Sequence, residues 1–305
     1  MADTSRSTSL LPALAHEQAH IRQASRLGER IATSLYYALL VCLAVIFTFP
    51  LFWTLSLSLK TTSETFEFPP PLFPAVPQWI NYVYVFTQAP FFRWILNSVL
   101  VVGLGMLGTL ISASLVAYSF ARFRYRGREV LFIITLGTLM LPPQITLIPQ
   151  FILFNKMGWY NTLYPLWVPA WFGGGAFFIF LLRQFILSLP TDLDEAAVID
   201  GAGWFRIFWT ILMPLCKPAL ATMAIISFIG RWNDFLTPLI YLNSSKNFTV
   251  ALGLSLFQNF PQQSDIPMQN VLMAASIITI VPPVALFFFA QRQFIQGVVL
   301  SGVKL

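Results

Sequence analysis

Charge is scarce in this chain. Asp, Glu, Lys and Arg make up 10% of its 305 residues, hydrophobic residues make up 57%, and the mean hydropathy is +0.71. That excludes an ordinary soluble domain, in which about a quarter of the residues are charged. Cysteine is nearly missing as well. Cys42 and Cys216 cannot build a disulfide framework or a zinc site, and both lie in or beside apolar runs, where a small hydrophobe suffices. The two histidines, His16 and His20, stand four residues apart in the N-terminal segment without supporting ligands, so a catalytic or metal constellation is not expected. A phosphate-binding loop of the Gly-Lys-Ser/Thr kind is also lacking, so any ATP that drives this chain must be hydrolysed by another subunit. One apparent nucleotide motif fails on context. Gly103, Gly105 and Gly108 spell GxGxxG, but in the middle of an apolar run with no preceding strand. Small residues at that spacing, continuing through Ser112 and Ala113, predict close helix approach instead.

What is present is apolar length. A bilayer core of about 30 Å is crossed by about 20 apolar residues in a helix, because unpaired backbone groups cannot face lipid. Six segments qualify: 34–59, 94–121, 130–154, 162–182, 217–242 and 270–291. The expected class is therefore all-α and polytopic, with a tail over 1–33 and a transmembrane domain over 34–305. In the tail, the spacing of Leu11, Leu14, Gln18, Ile21 and Ser25 allows a weakly amphipathic surface helix or a solvated segment. Lys and Arg set the orientation. They crowd the tail (Arg6, Arg22, Arg26, Arg30), the second connection (Arg122, Arg124, Arg126, Arg128), the fourth (Arg183, Arg206, Lys217) and the C-terminus (Arg292, Lys304). The opposite side holds Lys60, Arg93, Lys156 and Lys246, so both termini are expected in the cytoplasm of a cell-membrane protein.

Two outer connections are long. Residues 61–93 carry a proline run and Trp79, Tyr82, Tyr84 and Phe86, which suit an interface, and 243–269 is polar, with Asn259, Pro261, Gln262, Gln263 and Asp265. Either can meet an external partner or stay solvated. Within the fourth span, Gly173, Gly174 and Gly175 permit close helix approach or a local helix break beside a cavity. The fifth span holds the polar group Arg231, Trp232, Asn233 and Asp234, with Arg231 about 21 Å along a helix from Lys217. Arg231 and Asp234 can pair with one another, or Trp232 can stack on a sugar ring while Asn233 and Asp234 hydrogen-bond along a substrate pathway.

The connection 188–217 is the longest polar cytoplasmic interruption. Thr191 and Asp194 match a capping box, Glu195 to Ile199 favour a short helix, and Gly201 or Gly203 can end it in a left-handed conformation. Leu193, Ala196, Ala197 and Asp200 fall on one face, small in its middle, fit either for a docking groove or for an interfacial turn.

This segment resembles the EAA loop of ATP-binding cassette importer permeases: Glu195, Ala196 and Ala197, then Asp200-Gly201, then Ile211 and Pro214, with Met213 where the family usually has leucine. The likeness runs from the first span to the end of the chain, through Asn97-Ser98, Ala117 to Arg122, Arg126-Gly127-Arg128, Trp232 to Phe235 and Gly297 to Lys304. It is similar to carbohydrate importers of the smaller maltose-transporter permease kind. The resemblance implies a type I importer permease fold and a coupling helix that contacts an ATPase through Glu195, Ala196, Ala197, Asp200, Gly201 and Pro214. It further implies a second homologous permease, two ATPase subunits that hold ATP and Mg, an extracytoplasmic solute-binding protein and a carbohydrate cargo, with no cofactor, catalysis or nucleic acid on this chain. A non-sugar cargo, or an ion-driven carrier without an ATPase, are the competing expectations.

Overall fold

The computed structural model describes the backbone of residues 10–257 and 269–302, with side chains over 32–257 and 269–290. The polar residues Asn259, Pro261, Gln262, Gln263 and Asp265 lie outside the described residues, as do the side chains of His16, His20 and the C-terminal stretch. Two compact units divide between Ser56 and Leu57. The first is carried by helix α1, Leu10–Ser58, whose stretch Ala32–Ser58 is long and apolar enough to cross a membrane.

The second unit is all-helical among the described residues. Its longer helices are α2 (Ile80–Gln88), α3 (Phe91–Arg122), α4 (Arg128–Gly137), α5 (Pro143–Lys156), α6 (Ala176–Leu187), α7 (Asp192–Ile199), α8 (Lys217–Trp232), α9 (Leu236–Tyr241), α10 (Val250–Leu256) and α11 (Gln269–Gly302), with shorter helical turns between them. Four stretches of the chain, α1 included, are spans by length and composition, and two bent pairs raise the number to six when each counts as one crossing.

Three of the expected spans are broken, each for a local reason. The third bends by 98° between Arg128–Met140 and Pro143–Lys156. Pro142 and Pro143 lack N–H donors there, and each pushes its predecessor out of helical conformation. The fourth breaks at Gly173, Gly174 and Gly175, with φ of +100°, +67° and +98°, angles that only glycine adopts without strain. A Cβ on Gly174 would sit 2.8 Å from the Thr109 carbonyl oxygen, so close approach to α3 and a helix break coincide. The fifth stops at Trp232 and restarts at Leu236. Asn233 Nδ2 donates to the Ile229 carbonyl at 3.0 Å and Asp234 Oδ1 accepts from the Thr237 amide at 3.1 Å, local bonds that compete with helical ones.

Helix α3 is the axis of the unit. At its outer end Trp94 Nε1 donates to Ser245 O at 2.7 Å, Asn97 Nδ2 to Lys246 O and Phe248 O at 2.9 Å each, and Ser98 Oγ accepts from the Val250 amide at 2.8 Å. Nearby, Asn81 Nδ2 donates to Ser58 O and Lys60 O, and Asn270 Nδ2 to Lys60 O, tying the first outer connection to the start of α11. The glycines on α3 seat side chains rather than whole helices. Gly105 makes room for the Arg231 guanidinium and Gly108 for the Trp171 indole, while Gly103 faces open space. Gly253 on α10 does the same for Trp94, since a Cβ there would clash with Trp94 Cε3. Gly253→Ala is therefore expected to cost about 1–3 kcal/mol through overpacking against a rigid indole. A lowered thermal midpoint of the detergent-solubilised protein, unmatched by Gly103→Ala, is the check.

Candidate functional site

Helix α7 is short and set between two buried anchors. The chain leaves α6 at Leu187, turns through Pro190, and enters α7 with Thr191 as its N-cap residue. The capping box is not formed. Thr191 is itself in helical conformation and its side chain makes no cap bond. Asp194 turns inward instead, where its carboxylate meets Arg122 Nε at 2.6 Å, the two side chains 9% and 5% exposed. Arg122 also donates to the Leu189 carbonyl at 3.1 Å, so one guanidinium at the end of α3 holds both the entry to α7 and its first turn. Burial pushes the Asp194 carboxyl above its usual range, with Arg122 pulling the other way.

The helix ends on Gly201, at φ +79°, and Gly203 takes no part in the stop. The Ala202 amide donates to Ala197 O at 2.9 Å and the Gly201 amide to Val198 O at 3.0 Å, which is the paired bonding of a Schellman cap. Beyond it, Tyr118 Oη donates to Trp204 O at 3.2 Å and the Phe123 and Trp204 rings meet edge-on at 5.4 Å. Ala197 is buried in a core with Ala117, Ala121, Ile186, Phe208 and Leu212.

That burial corrects the face expected from spacing. Ala197 cannot reach a partner, because with Asp194 it forms the inward side of α7. Asp192, Glu195, Ala196 and Ile199, at i, i+3, i+4 and i+7, are exposed, and Ile199 is 86% exposed. Asp200, Gly201 and Pro214 are exposed as well. The outward face is thus one small residue framed by two acids and an isoleucine.

The polar group of the fifth span needs a second correction. Arg231 makes no ion pair with Asp234: its guanidinium donates to Leu166 O at 3.1 Å, Thr109 Oγ1 at 3.1 Å and Ser227 Oγ at 3.3 Å. Gly105 leaves the room for it on α3. Trp232 is 3% exposed, stacks on Phe228 at 5.7 Å and 6°, and gives its indole N–H to Thr279 O at 3.2 Å. Neither ring face nor donor is open to a sugar. Asn233 is exposed and Asp234 half-buried, both engaged in ending and restarting the helix.

Residues 110–299 match the family model of the binding-protein-dependent transport system inner membrane component, more than half of the chain and all of the segment just described. The chain belongs to that family. Among relatives of this permease, the arabinooligosaccharides transport system permease protein AraQ of Halalkalibacterium halodurans is 39% identical over 73% of this chain and 78% of the relative. AraQ of Bacillus subtilis is 34% identical over 90% and 96%. The diacetylchitobiose uptake system permease protein NgcG of Streptomyces coelicolor is 32% identical over 92% of each. The fold recurs in the crystal structure of a bacterial ABC transporter involved in import of the acidic polysaccharide alginate, with a TM-score of 0.78 at 23% identity over 87% of the permease and 97% of that chain. The permease is accordingly a multi-pass inner-membrane component of an importer, not an enzyme.

Sequence spacing missed Arg122 and Asp194 as a pair, although Arg122 ends the Ala117–Arg122 motif and Asp194 precedes Glu195 directly. Their charge at the edge of an apolar core was the available signal, since buried charges are seldom left unpaired.

Proposed function

We propose that the permease forms half of a carbohydrate translocation pathway and is driven through α7 by a separate ATPase. The carrying observation is the build of α7: eight residues, with an exposed outer face of Asp192, Glu195, Ala196 and Ile199 and an inner face clamped to α3 by Arg122 and Asp194. A rigid short helix of this kind converts displacement of a docked groove into movement of the span behind it. Glu195, Ala196, Asp200, Gly201 and Pro214 are the contact residues, with Ala197 packing behind them.

A second homologous permease completes the pathway, two ATPase subunits hold ATP and Mg on the cytoplasmic side, and an extracytoplasmic binding protein delivers the cargo. Both termini are cytoplasmic in this arrangement, in keeping with the arginines of the tail and of 122–128. Relatives named for arabinooligosaccharides and diacetylchitobiose support a saccharide. A glycerol phosphate is the second cargo to test, because UgpE of Yersinia enterocolitica, an sn-glycerol-3-phosphate permease, is 31% identical over 86% of the chain.

Mild detergent extraction of the membrane-embedded permease should recover ATPase subunits with it. Proteoliposomes of that complex with its binding protein should then accumulate arabinooligosaccharide or diacetylchitobiose in step with ATP hydrolysis. Recovery without any ATPase would sink the coupling proposal, and uptake of sn-glycerol 3-phosphate alone would replace the cargo.

A further inference from the structure

We propose that the basic connection between α3 and α4 binds the headgroup of an anionic phospholipid, its phosphate held by Arg124 and Arg126 beside the groove at the start of α4. The proposal stands on the membrane family alone and needs neither the cargo nor the ATPase.

Depth says what surrounds this connection. The outer end of α3 is fixed by the bonds of Trp94, Asn97 and Ser98 to residues 245–250. From Ser98 to Arg122 the helix rises about 36 Å at about 1.5 Å per residue, against a hydrocarbon core of about 30 Å. A usual tilt of about 20° shortens the rise only to about 34 Å. Residues 123–127 therefore lie just past the hydrocarbon, at the level of the lipid phosphates. Directly after them α4 turns Val130, Ile133 and Ile134 outward on one face, all exposed, a surface suited to the acyl chains below such a headgroup.

Charge says which lipid. The groove has a volume of about 350 Å³ and is lined by Arg124, Tyr125, Gly127, Arg128, Glu129 and Val130. Its one acid is already neutralised: Glu129 meets Arg128 Nη2 at 2.6 Å and Nε at 3.0 Å, and Arg183 Nη2 at 3.5 Å. Arg128 also donates to the Phe123 carbonyl at 3.1 Å, which closes the connection on itself, and Arg122 is spent on Asp194. Arg124 and Arg126 are exposed and make no ion pair among the described residues. Two such guanidiniums, with the exposed Tyr125 between them, leave a local excess of positive charge that phosphate oxygens balance in a matching fork geometry. A zwitterionic headgroup brings its own ammonium and cancels that attraction, so the class is an anionic phospholipid. The rival cover is a docked ATPase, since Phe123 meets Trp204 just beyond α7. The depth of the connection and the apolar face that follows it favour lipid.

The test uses the permease with its copurifying subunits in mild detergent, titrated with phosphatidylglycerol and, separately, phosphatidylcholine, with bound lipid read by native mass spectrometry. The wild type should retain phosphatidylglycerol in preference to phosphatidylcholine. One arginine near an anionic headgroup is worth about a factor of five, so Arg124→Gln should weaken the first phosphatidylglycerol bound about fivefold, and Arg124→Gln with Arg126→Gln about 25-fold. Arg93→Gln, an exposed position near the opposite end of α3, should leave it unchanged. Equal retention of the two lipids, wild-type binding by the double variant or an equal loss in Arg93→Gln would overturn the site. Displacement of the lipid by free sn-glycerol 3-phosphate would overturn the lipid as its ligand. Phosphatidylglycerol bound only after ATPase subunits are stripped away would make the connection their contact and overturn the proposal as well. Should the double variant lose its thermal midpoint, Arg124→Gln alone carries the fivefold test.

Discussion

Asp194→Leu will destabilise the permease by about 3–5 kcal/mol, because it strands the Arg122 guanidinium, 5% exposed, without its counter-charge. Arg122→Met combined with Asp194→Leu should restore most of that loss, since two apolar side chains fill a buried pair's volume without desolvating a charge. Burial raises the pKa of Asp194, in keeping with this expectation. A carboxyl whose pKa is higher in the folded chain binds its proton more tightly there than when unfolded. Its contribution to stability is therefore fullest at low pH and falls as pH rises through the ordinary carboxylate range toward the folded value. A buried pair of this kind is expected to fix geometry more than it adds stability. Thermal midpoints of the detergent-solubilised variants test the cycle, and equal losses in the single and double variants would remove the pair as the cause. Solute transported per ATP supplies the functional readout. The double variant should recover its midpoint and still transport less per ATP, because an apolar contact can slide where an ion pair with a second bond to Leu189 O cannot.

How much of this was open to a reader of the sequence depended on the range of the force involved. The all-helical membrane class followed from apolar length, a property of single segments, and the six expected spans stand as four helices and two bent pairs. The stop was legible to within two residues, as Gly201 or Gly203, because a left-handed residue is a local requirement, and it falls on Gly201 with φ of +79°. The breaks were visible only in part. Pro142-Pro143 stood in the sequence, but one apolar run of sufficient length hid the bend, whereas Gly173 to Gly175 announced a break and left its alternative open. What periodicity could not give was the rotation of α7 about its axis. Leu193, Ala196, Ala197 and Asp200 share a face, but which face turns inward was decided by Arg122, a residue 72 positions before Asp194 and brought to it only by packing. The same holds in the fifth span. Arg231 passes over a neighbour three residues away for Thr109 and Leu166 on other elements, and Trp232 spends its N–H on Thr279. Polar residues inside a bundle find their partners across helices, and a single chain's spacing does not record those distances.

The orientation of α7 yields the sharpest functional contrast. Glu195→Arg reverses a charge on the exposed face, where Glu195 makes no ion pair within the permease among the described residues, so the fold should be untouched. Transport should nevertheless fall by tenfold or more, since the few residues that anchor an interface near its centre each cost about 2 kcal/mol or more of binding when changed. Ile199→Asp, at the most exposed apolar position of the helix, should act alike. Ala197→Leu should do the reverse. Its extra atoms enter the core among Ala117, Ala121 and Phe208, lowering the thermal midpoint before any partner is bound. Measured side by side, ATPase copurification and thermal midpoint separate the two faces. A normal midpoint with lost ATPase for Glu195→Arg, and a depressed midpoint for Ala197→Leu, fixes which side of the helix meets the motor. The opposite assignment would mean that α7 rotates on docking, which requires the Arg122–Asp194 pair to break in every cycle, and the double variant would then transport better than the wild type.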